Sequence, residues 1–377
     1  MRNFVTVEGR TLRHAMKLVS AAIERRTAYP ILSSALVKLD KHGLHITGTN
    51  LDVEITAHID VIDGGGNWSL CIDASTLEGV GRVSGVMPVT IEKVKGDTVD
   101  VHITLGDGGA FYRLPDAINP DDFPTLKGER AGRIEHFTNG MLPALFGKIA
   151  WAVSNEETRY YLNGVCWQIG PEGRRMVATD GHRLGMCRYS PDTDSEAASR
   201  IIPRQTVDII TAHLSGIDVA AHATTDPLVI EFVTPSAVIR TKLIDGTFPD
   251  VNRVIPKADA LTFRLDLKKQ EIITAIDQAM IMGRSDRRFD GRAIRFFEQD
   301  GRVALERKSV DFGTARITTS SKWSKGAKDF GFNAAYLRQI IAPCQGDVTL
   351  GAADAGSPFM VTDEDESVTR VLMPMRV

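Results

Sequence analysis

Four adjacent residues, Asp180-Gly181-His182-Arg183, bring together side chains able to move protons, and Tyr160 and Tyr161 precede them in the chain. An Asp–His pair beside a hydroxyl can serve as a general base. The remaining parts of a catalytic apparatus are missing. No serine sits in a GxSxG elbow, no glycine-rich phosphate loop leads into Lys-Ser/Thr, and no carboxylate cluster is spaced for a metal. Asp180 and His182 flank a glycine at the end of an apolar run, where a short polar side chain commonly caps backbone groups in a turn. The tetrad is therefore expected to be a turn, with no catalytic residue in the chain. Cys71, Cys166, Cys187 and Cys344 lie far apart, with no CxxC and no histidine at zinc-ligand spacing. They are expected to be reduced, mostly buried thiols, and no metal or cofactor is expected.

The chain has 377 residues, 43% of them hydrophobic, with 45 Lys+Arg against 48 Asp+Glu. At roughly 100–200 residues per domain, that length accommodates two or three domains. The composition is globular and excludes disorder as the main theme. No apolar run approaches the roughly 18–20 residues needed to span a bilayer. The start, MRNFVTVEGRTLRHAMK, lacks the uninterrupted apolar stretch of a signal peptide. A cytoplasmic protein with no membrane partner is expected, in which the sequon Asn67-Trp68-Ser69 has no meaning. A net charge of −3 argues against a uniformly basic nucleic-acid binder.

The elements that must position these residues follow a repeat. Leu12, Ala15, Met16, Val19, Ala22 and Ile23 carry the i, i+3, i+4, i+7 stripe of an amphipathic helix. The same stripe recurs at a fixed offset as Leu142, Leu145, Phe146, Ile149, Ala152 and Val153, and again as Ile272, Ala275, Ile276, Ala279 and Met282. A second helix obeys the same offset through Leu77, Val207 and Leu337, in DASTLEGVGRVS, PRQTVDIITAHL and NAAYLRQIIAPC. Asp73 and Asn333 are placed as N-caps, and Pro203 suits a first helical turn. Alternating strands lie between, such as residues 43–50, 173–180 and 301–308, with further ones at 99–105, 227–233 and 357–363. Phe-Pro in DDFPTL (121–126) and GTFPDV (246–251) forces extended turns at the boundaries. The expectation is an α+β fold of three repeated domains, 1–127, 128–256 and 257–377, each with two helices packed on antiparallel strands.

The segments TAYPILSSAL (27–36), RYYLNG (159–164), VATDGHRLGMC (177–187), IIPR (201–204), KLIDGTFPDVNRVIPK (242–257), FGFNAAYL (330–337) and VLMPMRV (371–377) occur in an order that resembles the bacterial DNA polymerase III beta subunit, the sliding clamp, from end to end. The resemblance implies a head-to-tail homodimeric ring that encircles duplex DNA independently of sequence. It implies helices inside, sheets outside, no catalysis and no cofactor. The partners it implies are a clamp loader, replicative and translesion polymerases, and repair proteins that dock through short peptides.

By the same resemblance, a groove for such peptides is formed by Arg159, Leu162, Thr179, Gly181, His182, Arg183, Leu184, Pro249, Arg253, Val254, Val371, Met373, Pro374, Met375 and Arg376, with Asn333 and Tyr336 as an adjoining subsite. Apolar and methionine side chains would take the hydrophobic end of a ligand, and the Arg and His would fix its register. A tail rich in Met and Val frays unless it is docked. Net charge is then the wrong test for DNA, because counterion release depends on local Lys and Arg. Arg13, Lys17, Arg26, Arg82, Lys148, Arg204, Lys268 and Arg338 sit on or beside the helices, and the resemblance singles out Arg26 and Arg82. At Glu156 the family often has a neutral polar residue. For the dimer interface the resemblance points to Phe111 meeting Ile281 and Met282. Here GDGGAF (106–111) lacks the expected basic residue, and MGRSDRRFDG (282–291) is longer and more charged.

Overall fold

In a computed structural model, which describes residues 2–95, 99–115, 118–171, 173–190, 197–282, 292–309 and 311–377, the apolar stripes become helices. These are α1 (Gly9–Val19), α2 (Ala74–Ser84), α3 (Met141–Ile149), α4 (Arg204–His213), α5 (Lys269–Ala279) and α6 (Ala334–Ile341). Residues 283–291 of the charged MGRSDRRFDG segment lie outside the described residues. On α1, Leu12, Met16 and Val19 are buried, whereas Arg13, His14 and Lys17 face solvent. The stripe of α1 continues through a 3-10 turn at Ser20–Ala22, and that of α3 through one at Ala150–Ala152. The third stripe is shorter than its spacing suggested. Helix α5 ends at Ala279, so Ile281 and Met282 lie beyond it rather than on its apolar face.

Capping follows the sequence at two of three second helices. Asp73 accepts from the Thr76 amide at 2.8 Å at the start of α2. Asn333 accepts from the Ala335 and Tyr336 amides at 3.0 and 3.3 Å at the start of α6. Pro203 instead ends the strand Ala198–Pro203 and immediately precedes α4. Helices α1 and α2 pack closely because Gly81 lacks a side chain: a Cβ there would lie 3.0 Å from the Arg13 Cα. Among the described residues, no helix is long and apolar enough to cross a membrane.

The chain divides into two compact units. The first comprises residues 1–143 and 208–243, and the second residues 144–207 and 244–377. Neither follows the repeat boundaries read from the sequence, because strands of successive repeats pair with each other. In the first unit an eight-stranded antiparallel sheet joins Val53–Ile59 to Ala237–Lys242, in a register that sets Glu54 opposite Arg240. In the second unit another eight-stranded sheet joins Arg183–Ser190 to Val368–Leu372, with Leu184 opposite Val371. The leading strands of the two pairs start at Val53 and Arg183, the same offset as the helical stripes, so the repeat extends to the junctions. Each unit carries a smaller sheet as well, of five strands in the first and four in the second. In the second unit α5 and α6 cover a core in which Phe263, Phe296, Phe330, Phe332 and Phe359 stack or meet edge to face.

Each junction holds a largely buried arginine at the matching place in the repeat, Arg240 in the first and Arg370 in the second. Arg240 donates to the Leu126 carbonyl at 2.6 Å, while Glu54 accepts the Leu126 amide at 2.8 Å, so the pair grips the segment leading to the second repeat. Burial pushes the Glu54 carboxyl up, against the lowering effect of that amide and of Arg240. Arg370 donates to Asp363 at 2.7 Å, with side-chain exposures of 1% and 0%. Removing one member of a buried pair leaves an uncompensated charge, at a cost of about 3–5 kcal/mol. Arg370→Leu should therefore lower the urea midpoint of the second unit by a corresponding amount. The double variant Arg370→Leu/Asp363→Leu should recover part of the loss.

Candidate functional site

The second unit contains an apolar cleft of about 270 Å³. Its walls are Arg159, Tyr161, Leu162, Thr179, Gly181, Arg183, Leu184, Pro249, Asp250, Val251, Val254, Val371 and Met373. Ten of these are residues expected to line a groove. Tyr161, Asp250 and Val251 fall outside that expectation, although Tyr161 and Asp250 adjoin expected positions. The floor is core: Leu162, Leu184, Val251 and Val371 are all at most 3% exposed and pack with Phe248 and Ile201. The rim stays open, with Val254 at 47% and Met373 at 37% exposure. A cleft with an apolar floor and a flexible methionine at its mouth can take an aliphatic or aromatic end of a ligand by burying it, at about 25 cal/mol per Å² removed from water.

The tetrad that suggested catalysis builds one wall of this cleft. Asp180 Oδ1 accepts from the His182 and Arg183 amides at 2.9 and 3.0 Å, and its Oδ2 holds Arg183 Nε at 3.0 Å. Thr179 Oγ1 donates to the Arg183 carbonyl at 2.8 Å and accepts from the Gly181 amide at 3.1 Å. Gly181 turns the chain at φ +87°, and a Cβ there would lie 2.5 Å from Arg159 Nη1. The carboxylate thus serves the turn and Arg183, as the spacing indicated. The His182 ring stacks on Tyr336 instead, with centroids 6.1 Å apart. Glu156, which receives Arg159 Nε at 2.7 Å, is held below its usual carboxylate range by that hydrogen bond.

Other expected groove residues fall outside the apolar cleft. His182 and Tyr336 line a larger, more polar cleft of about 810 Å³, which shares Arg183 with the first and also contains Arg204, Arg338 and Gln339. Asn333 is 3% exposed, and its oxygen is committed to the α6 cap, so the expected subsite role for its side chain does not hold. Arg253 is exposed beside the cleft and meets Asp250 at 3.3 Å. The tail is docked rather than frayed: the Met373 amide donates to the His182 carbonyl at 2.8 Å, and the Met375 amide to the Gly331 carbonyl at 2.7 Å. Pro374, Met375 and Arg376 therefore run past the cleft toward the strand Phe330–Asn333.

The basic positions separate into two groups. Arg13, Lys17, Arg26 and Arg82 in the first unit and Lys268 in the second are exposed. Lys148 is tied to Asp365 at 2.7 Å and Arg338 to Asp277 at 2.7 Å, while Arg204 donates to the Val153 and Ser154 carbonyls. Lys148 and Arg204 therefore hold the protein together, and their charges are not presented freely as the helix positions suggested. Phe111 (58%) and Ile281 (69%) are exposed, as interface residues must be in a lone chain, and Met282 is partly covered. Phe312, at 49%, is a further exposed aromatic that no local pattern marked. The four cysteines are buried and form no disulfide, and burial pushes the Cys166 and Cys344 thiols up to about 11.

Comparison with known proteins agrees with this architecture. Residues 3–127 match the family model of the DNA polymerase III beta subunit N-terminal domain, and residues 138–250 match that of its central domain. The chain is 30% identical over 386 residues to the beta sliding clamp of Caulobacter vibrioides NA1000, covering 99% of this chain and 100% of that one. A solved C. crescentus beta sliding clamp, 29% identical, superposes with a TM-score of 0.87 over 100% of this chain and 99% of that one. A Pseudomonas aeruginosa clamp bound to griselimycin, at 24% identity, shares the fold with a TM-score of 0.88 over the whole of both chains. Identity at this level across the full length, on a fold whose junction strands recur at the offset of its helical stripes, means that the chain belongs to the DNA polymerase III beta subunit family, the beta sliding clamps.

Proposed function

We propose that this chain, a non-catalytic beta sliding clamp that acts with DNA polymerase on DNA, closes head-to-tail with a second copy into a ring around the duplex. The observation that carries this reading is a junction left unmade in each chain. Val53–Ile59 and Arg183–Ser190 find partners in Ala237–Lys242 and Val368–Leu372. The third strand of the first series is Gly313–Lys322, and the remaining strand of the second is Ala110–Pro115. Both lie at the edges of their sheets, and exposed Phe111 and Phe312 stand on or beside them. Open edges invite pairing with another chain. Two copies would each contribute one such edge to each of two contacts and close with two-fold symmetry. The units are then read as three domains, 1–127, 128–256 and 257–377, whose sheets run on from one to the next.

Exposed Arg13, Lys17, Arg26, Arg82 and Lys268 supply sequence-independent phosphate contacts in this reading. The apolar cleft takes the hydrophobic end of a short peptide, through which replicative and translesion polymerases, repair proteins and a clamp loader dock in the cytoplasm. Arg159 and Arg253 at the rim set its register.

The test is retention on DNA after loading. A ring stays on circular plasmid and leaves when the plasmid is linearised, whereas a surface binder treats both alike and would refute the ring. Sedimentation at micromolar concentration should show a dimer for the parent chain and a monomer for Phe111→Asp; a dimeric variant would reject the edge assignment. On linear duplex, each of Arg13→Ala, Lys17→Ala, Arg26→Ala and Arg82→Ala should reduce the slope of log K against log salt by about 0.9. Lys148→Ala should leave that slope unchanged, because its charge is already paired.

A further inference from the structure

We infer that Gln339, on α6 outside the apolar cleft, is a positioning residue for peptide binding in that cleft. The inference rests on the cleft being the peptide site. The cleft wall formed by Thr179, Gly181 and Arg183 is anchored from within by Asp180, but Arg183 also needs support on its far side. Its side chain is 8% exposed, and the guanidinium lies over the Tyr336 ring at 4.2 Å and donates through Nη1 to Gln339 Oε1. Asp180 takes the Nε edge. Arg183, which lines the cleft, is thus held on one side by its own turn and on the other by α6. An arginine has several rotatable bonds, and fixing its fork at both ends is what keeps the side chain in one place. Without the amide oxygen, Nη1 turns toward water in the larger cleft, and the wall loosens. Gln339 does not line the apolar cleft and reaches it through Arg183.

The probe is a short fluorescein-labelled peptide ending in two leucines, measured by anisotropy and by stopped-flow dissociation on the full chain. Gln339→Ala should weaken binding about 3- to 10-fold, because the loosened wall must be reordered around the ligand, mainly through faster dissociation. Gln339→Glu should restore it, because a carboxylate accepts the same bond from Arg183. The thermal transition should fall by only a few degrees in Gln339→Ala and stay parental in Gln339→Glu. Met373→Ala, which touches the ligand directly, is the control. Loss of affinity in Met373→Ala with parental affinity in Gln339→Ala would overturn the positioning role while leaving the cleft assignment intact. Parental affinity in both would overturn the cleft assignment and the inference with it. Equal weakness in Gln339→Ala and Gln339→Glu would also overturn the inference, since the hydrogen bond would not be the cause.

Discussion

Every sheet in this protein must dispose of its edges, and the molecule is organised around that demand. An unpaired strand leaves a row of amides and carbonyls without partners and invites association. The chain meets the demand by pairing the outer strand of one repeat with the outer strand of the next. The consequence reaches the functional site directly. Pairing Arg183–Ser190 with Val368–Leu372 brings the turn at 179–183 beside the chain terminus, and the bond from the Met373 amide to the His182 carbonyl extends that pairing by one step. The apolar cleft is therefore a product of the junction. Its floor, Leu184 and Val371, is a cross-strand pair.

The same geometry explains the junction arginines. A largely buried polar side chain on a strand that joins two repeats has to find its partners within the protein. Arg240 uses the backbone of the connecting segment and Glu54, whereas Arg370 uses Asp363. Position has been kept through the repeat while the partner has changed. The charges of the helices divide in a parallel way. Lys148 and Arg204 are consumed by contacts within the second unit, and Arg13, Lys17, Arg26 and Arg82 are not. A net charge of −3 averages over these two populations and so says little about either.

Local features are legible in the sequence and distant pairings are not. Helix α1, the caps at Asp73 and Asn333 and the turn at Asp180 follow from spacing and side-chain chemistry within a few residues. The end of α5 at Ala279 is hidden because an apolar Met282 prolongs the stripe without prolonging the helix. Whether Lys148 is free depends on Asp365, far along the chain, and no periodicity records such a contact. For the same reason the partition of the central repeat between two units is invisible: register across a sheet is written in burial and backbone pairing, not in local pattern. The ring and its ligands entered through resemblance, and the open edges now give that reading a physical basis.

The two junctions also show why one of them forms a cleft. The turn at Thr49-Asn50-Leu51 repeats the turn at Thr179-Asp180-Gly181 bond for bond. Thr49 Oγ1 donates to the Val53 carbonyl at 3.0 Å and accepts from the Leu51 amide at 3.1 Å. Asn50 Oδ1 accepts from the Asp52 and Val53 amides at 3.1 and 2.8 Å. Leu51 even takes the left-handed conformation, at φ 77° against 87° for Gly181. The first turn carries out this work with Asn50 and no histidine, so the backbone hydrogen bonds of Asp180 Oδ1 are those of an inherited turn rather than of a catalytic dyad. What differs is the side chains set on it. Leu51 adds bulk where Gly181 leaves space, and Glu54 puts a carboxyl where Leu184 supplies an apolar floor. A repeated backbone device, given a glycine and a leucine at two positions, becomes a binding surface.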